Sequence, residues 1–120
     1  MPSRLLLVDD NDICRIGVRA LLAGRSEWVI CGEATNGVEA IIKVQAESPD
    51  IVLLDLTMPL MNGFEAAAKI KEVAPSTKVV FFSMHTIPAS PQFVGAEGFV
   101  SKQTAARDLL PMLEKVTRTI

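Results

Sequence analysis

Short unbroken apolar runs alternate along the chain with longer stretches in which apolar residues recur every three or four positions. The runs are Arg4–Val8, Trp28–Ala34, Ile51–Leu54, Lys78–Phe82 and Gly98–Ser101. Runs this short, with little polar alternation, suit strands covered on both faces of a parallel sheet. Helical periodicity fills the spaces between them. Asn11 or Asp12 can cap a first helix with Ile13, Ile16, Gly17, Ala20 and Leu21 on its apolar side and Arg15 and Arg19 on the other, and Gly24 ends it. Asn36-Gly37 opens a second helix through about Glu47, with Val38, Ile41, Ile42 and Val44 as its face. Asn62 caps an alanine-rich third helix over Gly63–Val73. Thr104 caps the last, which carries Leu109, Leu110, Leu113 and Val116. Pro111 lies inside it and removes the bond to the carbonyl of Arg107, so it kinks the helix or moves its start. Regular alternation of strand and helix predicts an α/β domain, a doubly wound five-stranded parallel sheet with helices on both faces.

The polar residues that end the apolar runs carry the chemistry. Ile51–Leu54 runs into Asp55, and Thr57, Met58 and Pro59 then stop the strand. Leu5–Val8 ends at Asp9-Asp10, the fourth run at Ser83-Met84-His85 and the fifth at Lys102. In a parallel sheet these ends share one edge, where open α/β sheets place their ligand crevices. Three carboxylates close together in a partly desolvated cleft need a compensating cation. Magnesium suits such a set, since it takes a few carboxylates, waters and phosphate oxygens and needs neither His nor Cys. Lys102 adds a point charge for a phosphoryl oxygen and Ser83 a hydroxyl donor. Asp55 is then the attacking oxygen of a phosphoryl transfer. Taken singly, Asp9-Asp10 reads as a helix-capping pair, Asp55 as a turn residue, Ser83 as a loop cap, Lys102 as a solvated side chain and His85 as a surface residue. Their shared edge is what favours the joint reading.

Composition narrows the field further. The 120 residues are 49% apolar and 22% charged, an ordinary globule of one domain over residues 1–120. A net charge of −2, a pI near 5.3 and the lack of a basic run argue against direct nucleic-acid binding. No apolar run approaches the roughly 20 residues of a membrane span, and Leu5–Val8 is too short for a signal-peptide core. Cys14 and Cys31 lack metal-ligand spacing and read as buried, reduced thiols. The chain therefore reads as cytoplasmic, with no membrane partner.

Leu7-Val8-Asp9-Asp10, then Leu54-Asp55-Leu56-Thr57-Met58-Pro59 with Gly63, then Ser83 and Lys102, resemble the receiver domain of bacterial two-component response regulators in order and spacing. The resemblance covers essentially the whole chain. It implies a CheY-like, flavodoxin-type fold in which Asp55 accepts a phosphoryl group from a sensor histidine kinase or a small acyl phosphate. It implies that Asp9, Asp10, Asp55 and the backbone carbonyl of Thr57 bind Mg2+ (or Mn2+). Ser83 and Lys102 then contact the phosphoryl group, Phe99 is the switching aromatic, and Thr57 and His85 tune the phosphoryl lifetime. Ser83-Met84-His85 together with Thr57 looks most like receivers of the LuxR/NarL type. That implies a C-terminal helix-turn-helix effector in a longer protein, with a stand-alone receiver as the alternative, and it allows a homodimer. By the same resemblance the Arg15/Arg19 face is a kinase-docking surface; as charges alone it is a solvated face.

Between Ser83 and Lys102 the chain departs from the family pattern. This segment is about three residues short, nearly one helical turn, and Pro88 and Pro91 forbid regular helix in its first half. The fourth helix of the family is therefore expected to be shortened or lost, with at most one turn over Pro91–Val94 and with Phe93 and Val94 covering the sheet. An altered output surface and a harmless deletion are the two readings of that departure. Two other functions compete with the phosphorylation switch. A phosphatase of the haloacid dehalogenase type also places a threonine two residues after its nucleophile, but it keeps an acid where this chain has Leu56. A pseudo-receiver that binds partners without phosphorylation is the remaining alternative, and the retention of Asp9, Asp10, Asp55, Ser83 and Lys102 together speaks against it.

Overall fold

The computed structural model describes residues 2–84 and 96–118. Its elements follow in the order β1 (Ser3–Val8), α1 (Asp12–Leu22), β2 (Trp28–Ala34), α2 (Gly37–Glu47), β3 (Ile51–Leu54), α3 (Gly63–Val73), β4 (Lys78–Ser83), β5 (Gly98–Ser101) and α4 (Ala105–Thr117), the last entered through a 3-10 turn at Lys102–Thr104. The five strands are parallel in the order β2-β1-β3-β4-β5. Reversal of direction at β1 puts α1 and α4 on one face and α2 and α3 on the other. Ile51–Leu54 is buried throughout and lies between β1 and β4, as its unbroken apolar run predicts.

Alternation along the central strands builds two cores. Leu6, Val8, Val52, Leu54, Val79 and Phe81 meet α2 and α3, while Leu5, Leu7, Ile51, Leu53, Val80 and Phe82 meet α1 and α4. The edge strand β2 breaks its own alternation. Ile30 pairs with Leu5, but Leu6 pairs with Gly32, so Cys31 is an extra residue in a bulge. A one-residue slip reverses which face each later side chain takes. Glu33, paired with Leu7, therefore lies on the α1 side.

Several helix faces differ from the expected ones. On α1 the buried positions are Val18 and Leu22, flanked by half-buried Cys14 and Leu21. Ile13 is 78% exposed and Ile16 54%, and Gly17 and Ala20 are exposed too. Two overlapping stripes on this helix satisfy helical spacing, and Arg15 wrongly marks its side as solvent-facing: its side chain is only 12% exposed. On α2 the seated residues are Ala40 and Val44, with Val38 and Ile42 exposed. Asn11, Asn36 and Asn62 cap α1, α2 and α3 through their side chains. Thr104 makes no such bond at α4; its hydroxyl donates instead to Asp108 at 2.7 Å. Helix α4 runs past Pro111, which faces solvent, and buries Leu109, Leu113 and Val116. The free cysteines Cys14 and Cys31 are half-buried rather than buried. The expected shortening of the fourth family helix, the turn at Pro91–Val94, the cover from Phe93 and Val94, and His85 all fall on residues 85–95, outside the described residues.

Helix α3 approaches the sheet closely because its inner side is small. Ala66 and Ala67 are fully buried, and Gly63 donates its N–H to the carbonyl of Leu56 at 2.9 Å. A Cβ on Gly63 would stand 2.4 Å from the Asp55 carbonyl oxygen and 2.6 Å from Leu56 Cα. The helix start thus rests directly on the backbone that carries Asp55.

Candidate functional site

β1 and β3 are neighbours in register up to Val8 opposite Leu54, so the next residues, Asp9 and Asp55, emerge side by side. Both are buried, and Asp10 is exposed beside them. One oxygen from each of the three carboxylates falls within a 4.8 Å cluster. Lys102 follows β5, two strands away, and reaches back across the edge. Its Nζ lies 2.6 Å from Asp9 Oδ2 and 3.5 Å from Asp55 Oδ1, and 5.7 Å from the centre of the Phe82 ring. Ser83, the last residue of β4, is buried at the same edge. Phe99 pairs with Phe81 across β4 and β5 and is partly buried against the α2/α3 core. Thr57 is exposed, and its backbone N–H donates to Asp55 Oδ1 at 3.4 Å.

Burial dominates the electrostatics. It pushes the Asp55 carboxyl up, the neighbouring Asp9 charge adds to this, and Lys102 and the Thr57 N–H oppose it without reversing it. Burial also favours a neutral Lys102, but its bond to Asp9 and the charges of Asp9 and Asp55 outweigh that and raise its pKa. The lysine is a fixed cation among excess negative charge.

Asp9 is restrained at nearly every polar atom. Its N–H donates to the Ala34 carbonyl at 3.0 Å, and Oδ1 accepts the Asn11 N–H at 2.9 Å. Oδ2 is buried and paired with the Lys102 ammonium at 2.6 Å. Three carboxylates this close, with one lysine to offset them, fit a hard, oxygen-seeking divalent cation held by Asp9, Asp10 and Asp55.

Of the residues named from sequence, Asp9, Asp10, Asp55 and Lys102 converge, Ser83 shares their edge, and Phe99 lies on the adjoining strand. On the Arg15/Arg19 face Arg15 is withdrawn from solvent while Arg19 stays exposed. Arg15 Nε donates to Glu33 at 2.8 Å, its other nitrogens reach the Asp9 carbonyl and Asp12, and Arg19 also pairs with Glu33. These ties and the Phe82 ring were missed. They need the β2 bulge, marked in the sequence only by Gly32 beside it, and the β5 crossover, which leaves no local signal.

Fold and acidic edge together define a receiver: a doubly wound sheet with carboxylates and a lysine gathered at the carboxyl ends of its strands. The chain belongs to the response regulator receiver domain family, which it matches over residues 5–114. It is 35% identical over 119 residues to the nitrate/nitrite response regulator protein NarL of Escherichia coli strain K12, covering 95% of this chain and 54% of that protein. The chain thus spans about half the length of that relative. A LuxR-family two-component response regulator from Aurantimonas sp. SI85-9A1 superposes with a TM-score of 0.86 at 31% identity, covering 97% of this chain and 85% of that one. The CheX-CheY-BeF3-Mg+2 complex from Borrelia burgdorferi contains a chain that superposes with a TM-score of 0.86 at 26% identity, covering 98% of this chain and 90% of that one. Among the described residues no helix is long and apolar enough to cross a membrane.

Proposed function

We propose that this domain is a cytoplasmic phosphorylation switch, in which Asp55 accepts a phosphoryl group from the phosphohistidine of a sensor histidine kinase. The observation that carries this is the meeting of Asp9, Asp10 and Asp55 within 4.8 Å, with Lys102 against two of them. An Asp55 oxygen attacks phosphorus, the P–N bond breaks, and the imidazole leaves with the bonding pair. Asp9, Asp10, Asp55 and the Thr57 carbonyl hold Mg2+ (or Mn2+), which when bound neutralises charge on the phosphoryl oxygens. Lys102 pairs with one of those oxygens and Ser83 donates its hydroxyl to another. This transfer to its own side chain, and the later hydrolysis, is the only chemistry assigned to the domain.

The remaining assignments rest on placement and kinship. Phe99, half-buried beside Phe81, suits a switching aromatic, and Thr57, exposed above Asp55, suits control of water access, with His85 as its companion. Exposed Ile13 and Ile16 support kinase docking on the apolar side of α1 rather than on Arg15 and Arg19. Kinship to LuxR/NarL-type regulators supports a C-terminal helix-turn-helix effector in the full-length regulator, and a homodimer is proposed beside it on the family resemblance alone. The solved Borrelia complex carries BeF3 and Mg2+, which supports the same cofactor here.

Intact mass after incubation with Mg2+ and acetyl phosphate tests the reading. The expected result is a gain of one phosphoryl group that needs Mg2+, is lost in Asp55→Ala and is removed by hydroxylamine. No gain with that donor or with a panel of histidine kinases would favour a phosphorylation-independent pseudo-receiver.

A further inference from the structure

Arg15 is the best-tied side chain near the acidic edge, yet the phosphoryl chemistry gives it no task. It rises from the first turn of α1 with its side chain only 12% exposed. Its guanidinium donates to three oxygens: the Asp9 backbone carbonyl, Asp12 Oδ1 and Glu33 Oε1, the last at 2.8 Å. Glu33 is held in turn. Arg19 takes its other carboxylate oxygen, and Lys43 of α2 donates to its backbone carbonyl. Glu33 is available to α1 only because the bulge at Cys31 turns it to that face. Without the bulge, alternation would place residue 33 on the α2 side and leave a guanidinium beside Asp9 with no partner on the sheet.

Asp9 is thus fixed through its N–H by Ala34, through Oδ1 by Asn11 and through its carbonyl by Arg15. Of these three contacts, Arg15 alone reaches the carbonyl end of the residue, where the chain turns into Asp10. Asp10 is exposed and depends on that turn for its direction. We infer that Arg15, braced by Glu33 on the β2 bulge, is a positioning residue that sets the Asp9-Asp10 turn for divalent-cation binding. This rests on the proposed metal role of the acidic cluster. The fork of Arg15 spans the loop, its own helix and the sheet at once, which a lysine cannot do.

The sign of the effect separates positioning from plain electrostatics. Removing a positive charge beside three carboxylates strengthens cation binding through space. Releasing a misdirected loop weakens it, and outer-sphere partners of metal ligands are typically worth about 10-fold or more in affinity. Mn2+ affinity, read by the loss of the free-ion EPR signal with no phosphodonor present, is the measurement. Arg15→Met is expected to bind about 10-fold more weakly than wild type, and Arg15→Lys, which keeps the charge, several-fold more weakly. Glu33→Gln should weaken binding too, and its effect should not add to that of Arg15→Met, because both break one brace. Unchanged or tighter Mn2+ binding in folded Arg15→Met, or in Arg15→Lys should the Met variant fail to fold, overturns the inference. So does a loss of thermal stability without a loss of affinity, which marks a structural role only. Wild type that binds no Mn2+ sinks the metal reading itself, and a wild-type site that Asp10→Asn weakens but the Arg15 variants do not sinks only this one.

Discussion

The loops after β1 and after β3 each bring a carboxylate to the same sheet edge, and they are held there by opposite means. Side-chain polarity holds the first: Asn11 on Asp9 Oδ1, Arg15 on the Asp9 carbonyl, and Glu33 behind Arg15. Backbone proximity holds the second. Gly63 sits against the Asp55 carbonyl, Gly37 of α2 leaves no room for a Cβ beside Met61, and a capping box of Asn62 and Glu65 fixes the start of α3. Charged anchors lose strength gradually when altered, because water and other side chains replace part of each contact. A backbone contact has nothing to yield. The loop that carries the phosphoacceptor is the one built on the less forgiving principle.

The largest expected effect therefore comes from Gly63→Ala. Its new methyl meets the Asp55 carbonyl oxygen at 2.4 Å and Leu56 Cα at 2.6 Å, neither of which can rotate away. About 3 kcal/mol of stability should be lost in urea unfolding, together with acetyl-phosphate reactivity as Asp55 is displaced. Gly98→Ala is the control, since its methyl meets the Met112 sulfur at 2.6 Å, the middle of a flexible side chain that can turn aside. That variant should lose less than about 1 kcal/mol. Equal losses would mean that α3 slides as readily as a methionine turns, and the contrast between the loops would fail.

A second, smaller effect runs the other way. Burial and the Asp9 charge raise the Asp55 pKa, so its ionisation opposes folding in the metal-free protein at neutral pH. Asp55→Asn should therefore stabilise that form at pH 7. As pH falls through the raised folded-state pKa the wild-type carboxyl takes up its proton, and the advantage should fade by the ordinary value of 3.8. Chemical denaturation of both proteins across this range, with EDTA present, checks it. An advantage that persists at low pH would point to a steric origin.

The same division explains what was legible in the sequence. The central strand β3 is covered on both faces and announces itself by an unbroken apolar run; β2, β5, α2 and α3 also have the bounds predicted for them, and the strand-end positions of Asp9, Asp55 and Lys102 follow. Helix faces were less legible, because α1 carries enough apolar residues for two stripes. Only the sheet decides that Val18 and Leu22 go inward while Ile13 and Ile16 stay out. The bulge at Cys31 is marked only by Gly32 beside it, an isolated strand glycine whose meaning the pairing decides. The brace from Glu33 to Arg15, which depends on that bulge, joins residues 18 positions apart. Thr104 shows a local rule losing to a neighbour, since its hydroxyl bonds to Asp108 instead of capping.

The mildest change tests how rigid the second loop is. Leu60 has φ 71, left-handed backbone that a leucine rarely adopts, and its side chain is 82% exposed, so packing repays little of the strain. Such strain is about 1 kcal/mol, and glycine would relieve it while adding a comparable cost in unfolded-chain entropy. Leu60→Gly alone should therefore change stability by only a few tenths of a kcal/mol. Leu60→Ala keeps the left-handed penalty and discards only an exposed side chain, so it isolates the backbone. Glycine should exceed alanine in stability by roughly 0.5 kcal/mol once both costs are counted. A gap of that sign means the backbone around Gly63 and Met61 forces residue 60 into its conformation. Indistinguishable variants would mean that the loop relaxes when the cost rises, and that Asp55 owes its position to β3 and the start of α3 rather than to the whole loop.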